Sequence, residues 1–422
     1  MTSAPTLPIR VGIIGAGEVS QVVHLPTLQL LPHLYKVTAI TDLSLAASKH
    51  ASSKFGVPQA CATVDELVKL QNVDLVLIAS ADEYHGDHAV AAINAGKHVF
   101  IEKPLCLTRQ DAERIQDAEQ KAGVQVNVAY MRRYAPAFEI FKQLVAESGP
   151  VQYGEGGTLP VMSWPMQSRH SLICQRIRPH AAVVRDLIGP NEFFVAQSGT
   201  SPIKFVEDIP AGAANDKKAK AEEQHQAFLG TKTASSAHLV GAYRWLASVG
   251  SHSLSLMRET FGGLPDRCDA AHTTEKGDFI TAAFRYKNKG QGGGFAVSFE
   301  TGLHGVGVFD SFIEVFTPKR IIKLQYDTPF VKGLPITIII READPAIPGS
   351  YQERVIRPTF VDAYTSEWTV LAEALEQDKP LKTTVAVSAS VRGRACYPDL
   401  GECSSLTCLC SAIHSIRAGR RA

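Results

Sequence analysis

The chain has 422 residues, more than a single hydrophobic core usually supports, so two domains are expected. Lys+Arg 43 against Asp+Glu 42 leaves a formal charge of +1, which gives no composition-level reason to expect a nucleic acid or an anionic membrane as partner. Its apolar runs, such as residues 73–79 and 336–340, fall far short of the roughly 20 residues needed to cross a bilayer.

The first ten residues lack an apolar stretch followed by a small-residue cleavage site, so a cytoplasmic address is expected. Ile9–Ile14 is a β-branched run that ends in glycine, and runs of the same kind recur at 37–42, 73–79, His98–Ile101 and 124–129. Helical patterns at 46–55, 64–70, 88–95 and Arg109–Ala122 alternate with them. Near-continuous apolar strands separated by helices predict a doubly wound parallel sheet, covered on both faces, over residues 1–130.

Residues 211–226 are charged and polar, a solvated helix or loop, whereas 237–261 reads as a long buried helix. From about Phe279 strand patterns follow one another without helices, at 279–286, 294–300, Phe309–Phe316, 319–325 and 337–341. They predict an α+β second domain over 131–385 with an open, mainly antiparallel sheet. Neither periodicity is present in 154–182, and the tail 386–422 turns to Ser, Cys, Gly and Arg without an apolar stripe. The eight cysteines form no framework-like spacing and are expected as free thiols. Cys403, Cys408 and Cys410 lack the Cys-x-x-Cys spacing and histidines of a zinc site, so no metal is expected.

Gly12, Gly15 and Gly17 lie where the first strand turns into the first helix, a place where backbone must come close to a pyrophosphate and a helix N-terminus offers free N–H groups. Ser20 takes the third glycine position. Asp42 ends the second strand, 22 residues past Ser20, where a carboxylate accepts ribose hydroxyls and repels a 2′-phosphate. NAD is therefore the expected cofactor, with NADP left open. Glu102, Lys103 and Pro104 end a further strand, on the side where open α/β sheets bind ligands. Taken alone, Glu-Lys is equally an ordinary exposed pair.

With Gly-Ala-Gly-Glu-Val-Ser at 15–20, the stretch 80–85, Ala-Gly-Lys-His-Val-Phe-Ile-Glu-Lys-Pro at 95–104 and Tyr-Met-Arg-Arg-Tyr at 130–134, the chain resembles the Gfo/Idh/MocA family, named for glucose-fructose oxidoreductase and inositol dehydrogenase. Weaker likeness extends through 184–189, 250–262 and 326–335. The resemblance implies a Rossmann domain joined to an antiparallel-sheet domain, a tightly held nicotinamide cofactor, and sugar, polyol or related hydroxyl/carbonyl substrates. It carries cofactor contact onto Glu18, Val19, Ser80, His85, Glu102 and Lys103, and substrate contact onto Tyr130, Arg132 and Arg133. Lys103 and His252 become the expected catalytic pair, the lysine polarising oxygen and the histidine moving a proton.

Members of the family commonly carry Asp four residues before that histidine, and here the position is Ser248. The serine shares a helix face with His252 and is expected to hydrogen-bond it. Its lack of charge keeps open a non-catalytic, NAD-sensing regulator akin to a fungal co-repressor. An auxiliary step of a specialised pathway on an aromatic or terpenoid alcohol is a third reading. A homo-oligomer is expected from the open sheet face. The resemblance breaks at 154–182 and after 386, which predicts a retained intron and a shifted reading frame there; a transcript encoding both segments as they stand would refute it.

Overall fold

The computed structural model describes residues 5–148, 181–287 and 294–385, so both badly matching stretches, apart from Ala181 and Ala182, lie outside the described residues, as do Cys403, Cys408 and Cys410. Six strands, β1 (Ile9–Ile14), β2 (Tyr35–Thr41), β3 (Gln59–Cys61), β4 (Leu75–Ile78), β5 (His98–Ile101) and β6 (Val126–Val128), form one sheet in the order β3-β2-β1-β4-β5-β6. Every pairing in it is parallel. β4 and β5 are buried at every position, as a sheet covered on both faces requires. Helix Arg109–Ala122 shows how local chemistry sets an element. Thr108 caps it by accepting from the Asp111 amide at 3.0 Å, the stripe Ala112, Ile115 and Ala118 is buried, and Gly123 ends it at φ +66°.

A second sheet holds β7 (Ala181–Ile188), β8 (Arg267–Thr273), β9 (Phe279–Lys287), β10 (Gly294–Leu303), β11 (Phe309–Phe316), β12 (Arg320–Tyr326), β13 (Thr337–Ala343) and β14 (Tyr351–Ile356). Its order is β14-β13-β12-β11-β7-β10-β9-β8, antiparallel throughout except for the central β7–β10 pair. Alternate residues such as Val297, Phe299, Ile313, Val315, Ile322 and Leu324 face a core built with helices Pro136–Glu147 and 237–261. The polar stretch before it is helix Ala213–Leu229, and the long buried helix contains a π-helical turn at Leu246–Gly250. No helix among the described residues is long and apolar enough to cross a membrane. The described cysteines Cys61, Cys106 and Cys268 are thiols, Cys106 Sγ donating to the Thr108 carbonyl at 3.2 Å and Cys268 Sγ to that of Ala270 at 3.3 Å.

The chain ends its described course back on the first sheet. Helix Ala363–Glu376 places Trp368, which is fully buried, edge-on against Phe100 and Tyr35, while Thr384 bridges to Asn127 beside β6. Its neighbour Glu367 is also fully buried; Oε1 lies 3.5 Å from Asn127 Nδ2, and Oε2 has no partner. Burial, reinforced by the charge of Glu102, pushes the Glu367 carboxyl well above its ordinary range, so it is held as the neutral acid. The folded state then binds a proton that the unfolded state releases. Stability is fully present below the unfolded carboxyl value and is lost as pH rises toward the folded one, by about 1.4 kcal/mol per pH unit. Glu367→Gln is expected to match wild type near pH 4 and to exceed it at higher pH; denaturant unfolding across pH measures the gap.

Candidate active site

At the end of β1 the backbone turns at Gly15, φ +108°, where a Cβ would lie 2.4 Å from the Ala79 carbonyl oxygen. Only glycine lets the turn pass this close to the end of β4. Ser20, standing where a third glycine is usual, ties the turn by donating from Oγ to the Gly15 carbonyl at 2.5 Å. Nothing lies within 4 Å of a Cβ built on Gly17, so this edge of the turn is open to a ligand. Asp42 sits beside it: Oδ2 accepts from the Ala16 amide at 2.8 Å and Oδ1 from the Ser44 amide at 2.9 Å. A carboxylate has about four acceptor sites, so two remain for hydroxyls. An open glycine turn with a fixed acid at the neighbouring strand end fits the diphosphate and ribose of a dinucleotide.

Four residues expected at the cofactor, Gly12, Glu18, Val19 and His85, have side-chain positions filled by protein neighbours. Gly12 lies within β1, where a Cβ would meet Leu67 at 2.8 Å; its missing side chain makes room for a helix, not for a cofactor. Glu18 accepts from Asn191 Nδ2 at 2.6 Å, and Val19 packs against the second core. His85 is buried with Nδ1 2.7 Å from the Pro104 carbonyl and Nε2 3.1 Å from that of Ser80. The ring thereby lies between the loops after β4 and β5, with one nitrogen donating to a carbonyl. Ser80 Oγ bonds His88 Nδ1 at 2.9 Å, and burial holds that imidazole down to about 4, hence neutral.

Glu102 is buried and anchors the lysine that follows it. Trp368 Nε1 donates to His24 Nδ1 at 3.2 Å, which leaves the proton on Nε2 to donate to Glu102 Oε1 at 2.8 Å. The other carboxylate oxygen accepts from the Lys103 amide at 3.1 Å. Burial works against this charge, but the His24 hydrogen bond and the Lys103 ammonium outweigh it and keep the carboxyl below its ordinary value. The backbone of Lys103 is thus fixed, while its Nζ makes no hydrogen bond or ion pair among the described residues.

His252 approaches from the second sheet's helix Ser251–Phe261. It is 8% exposed, and its Nδ1 is buried without a hydrogen-bond partner. Burial, then Lys103 and Arg132, lower its pKa well below the usual value, so the ring is a neutral base within electrostatic reach of the Lys103 ammonium. The expected bond from Ser248 to this nitrogen is not made. Ser248 instead lies in the wall of a cavity of about 380 Å³, with Asp82, Glu83, Leu107, Trp245 and Asp278, a cavity whose lining includes neither Lys103 nor His252.

The arginines take a different part from the one expected. Arg132, 4% exposed, grips Asp186 with both terminal nitrogens at 2.9 and 3.1 Å and lies over the Tyr326 ring at 5.2 Å. Ser253, next to His252, donates to the same carboxylate at 3.2 Å. Arg133 is committed to Glu259 at 2.5 Å. These guanidiniums hold the His252 helix to β7 and to the turn after β6, and neither is left to reach a substrate. Tyr130 is buried in the first core. Asp186 went unnoticed as a site-building residue, although β7 shows the signal: Ala182, Val184 and Asp186 share its buried face, and a carboxylate there demands a buried cation.

A parallel sheet with an open glycine turn and a strand-end acid, joined to an open sheet that brings a histidine toward it, defines a two-layer dinucleotide-binding protein. Residues 9–130 match the model of the oxidoreductase family GFO_IDH_MocA, NAD-binding Rossmann fold. The inositol 2-dehydrogenase of Salmonella typhimurium is 29% identical over 202 residues, 46% of this chain and 60% of that protein. The Paracoccus denitrificans inositol 2-dehydrogenase is 35% identical over 144 residues, 33% of this chain and 42% of that enzyme. The chain therefore spans less than two thirds of the length of the curated relatives it matches. The crystal structure of myo-inositol 2-dehydrogenase from Lactobacillus plantarum superposes with a TM-score of 0.61 over 98% of both chains at 16% identity, which shows the same fold.

Proposed function

We propose that the chain is an NAD-dependent dehydrogenase that oxidises a secondary hydroxyl of a small cyclic polyol or sugar, or reduces the matching ketone. The observation that carries it is one pair of groups: Lys103 Nζ beyond β5, an ammonium without a hydrogen bond or ion pair among the described residues, and a buried imidazole, His252, neutral and with a nitrogen that has no partner among them. NAD held on the glycine turn and Asp42 supplies the hydride acceptor. In the oxidative direction His252 takes the hydroxyl proton, and Lys103 stabilises the negative charge that develops on oxygen. The low basicity of His252 keeps it ready to accept a proton throughout neutral pH. Support for polyols comes from the inositol dehydrogenases that are 29% and 35% identical over 202 and 144 residues. A cytoplasmic address, and a homo-oligomer using exposed apolar side chains of the second sheet and its loops such as Leu303, Val308 and Val355, belong to the same reading.

Calorimetric titration with NAD and NADP, followed by NADH formation over a panel of inositols, aldoses and aromatic alcohols, tests it. The reading expects NAD binding and turnover of at least one cyclic polyol or sugar; failure to bind either dinucleotide would sink it. One observation favours a non-catalytic NAD sensor: no carboxylate backs His252, since position 248 is serine and Nδ1 is bare. Tight NAD binding without turnover on any substrate class would support that second reading.

A further inference from the structure

Residues 197–212 leave the second layer and cross the first sheet's helices on the side of Asp42. Gln21, just past the glycine turn, donates from Nε2 to the Ile203 carbonyl at 2.9 Å and accepts from the Ile203 amide at 3.1 Å. Lys54 donates to the Thr200 and Ser201 carbonyls at 2.6 and 2.9 Å, and Phe205 packs on His50 with ring centroids 5.2 Å apart. The strap ends at Asp208, whose Oδ1 accepts from Ser44 Oγ at 2.5 Å and Oδ2 from the Ala46 amide at 2.8 Å. Both oxygens occupy donors at the start of helix Leu45–Phe55.

Ser44 thus touches two carboxylates at once, since its own amide donates to Asp42. Asp42 is the acid placed to read the adenosine ribose, and the 2′-substituent of that ribose points toward this same corner. Residues 42–48, Asp-Leu-Ser-Leu-Ala-Ala-Ser, contain no lysine or arginine to meet a phosphate. We infer that Asp208, delivered by the 200–208 strap, is a second selectivity residue of the dinucleotide site, excluding NADP by charge and by occupying the donors a 2′-phosphate would need. The inference rests on the NAD-dependent reading above and deepens it: selection of cofactor is shared between the Rossmann layer and a segment of the second layer. A 2′-phosphate carries about −1.5 to −2 charges, so removing one nearby negative charge at an exposed site is worth on the order of 10-fold in affinity.

The test uses the full chain and measures Kd for NAD and NADP by calorimetry in wild type, Asp208→Asn and Lys54→Ala. Asp208→Asn removes the charge and keeps one acceptor oxygen, and it is expected to lower the NADP/NAD ratio of dissociation constants on the order of 10-fold, chiefly by tightening NADP. Lys54→Ala loosens the strap away from the ribose and is expected to weaken both dinucleotides with a smaller change of ratio. The salt dependence of the ratio should shrink in Asp208→Asn, because a screened repulsion has been removed. An NADP/NAD ratio unmoved by Asp208→Asn, in a protein that binds NAD, overturns this inference alone. Binding of neither dinucleotide by wild type overturns the dehydrogenase reading and this inference with it.

Discussion

Lys103→Met should leave the fold and NAD affinity close to wild type while kcat on the best polyol falls about 100- to 1000-fold, the usual loss when one donor to a developing oxyanion is removed. The expectation follows from the division of labour at the loop. Glu102, held by His24 and Trp368, fixes the backbone, so the substitution removes an ammonium without unseating its carrier. The same change should reach His252. Burial is the chief cause of its depressed pKa, and Lys103 is the next. Deleting the ammonium removes one of the lowering influences, so the residual activity should lose its acid limb at higher pH than wild type does. The base form is required for oxidation, and activity is therefore present above the folded-state pKa of His252 and lost below it. His252→Ala should lower kcat by about 100- to 10,000-fold and abolish that limb. NADH production against pH for the three proteins reads both effects; an acid limb that stays in place in Lys103→Met would disconnect the two groups.

The largest effect on stability is expected at Asp186→Asn, which leaves the Arg132 guanidinium buried without its counter-charge. Removing one partner of a buried pair costs about 3–5 kcal/mol, because the remaining charge has lost both water and its partner. Replacing both members by apolar groups should recover much of this, since no unpaired charge remains. Urea unfolding of Asp186→Asn, Arg132→Met and the double variant Arg132→Met/Asp186→Leu measures the difference. Losses in the double variant equal to the sum of the singles would show that the pair does not act as a unit. Loss of the Ser253 anchor should also loosen the helix that carries His252, so kcat of the folded fraction is expected to fall.

Much of the first sheet was legible because its strands are largely apolar and helices such as Arg109–Ala122 carry caps: His98–Ile101 and Arg109–Ala122 fall where the pattern puts them. β3, only three residues long at the sheet edge, has too little pattern to read. β14, Tyr-Gln-Glu-Arg-Val-Ile, is an exposed edge strand whose polar residues hide its pairing with β13. The long helix 237–261 was clear from its apolar content, but the π-helical turn before His252 leaves no mark in composition. At the site, Gly15 and Asp42 drew notice because they stand at a turn and a strand end, whereas Lys103 and His252 were singled out through the family resemblance. His24, Trp368, Asp186 and Asp208 were not. Each acts through a partner 54 to 344 residues away in the chain, a relation fixed only by packing.

The arginines illustrate the same limit from the other side. Two adjacent cations after a strand look available for an anionic or hydroxylated ligand. Only the fold reveals that Asp186 and Glu259 have already claimed them.

A crystal structure with NAD and a cyclic polyol tests the central claim most directly. The account predicts the diphosphate on the turn at Gly15 and Gly17, ribose hydroxyls on Asp42, and one polyol oxygen within hydrogen-bonding distance of both Lys103 Nζ and the His252 ring. A polyol bound out of reach of either group, or a dinucleotide that avoids the glycine turn, would contradict it.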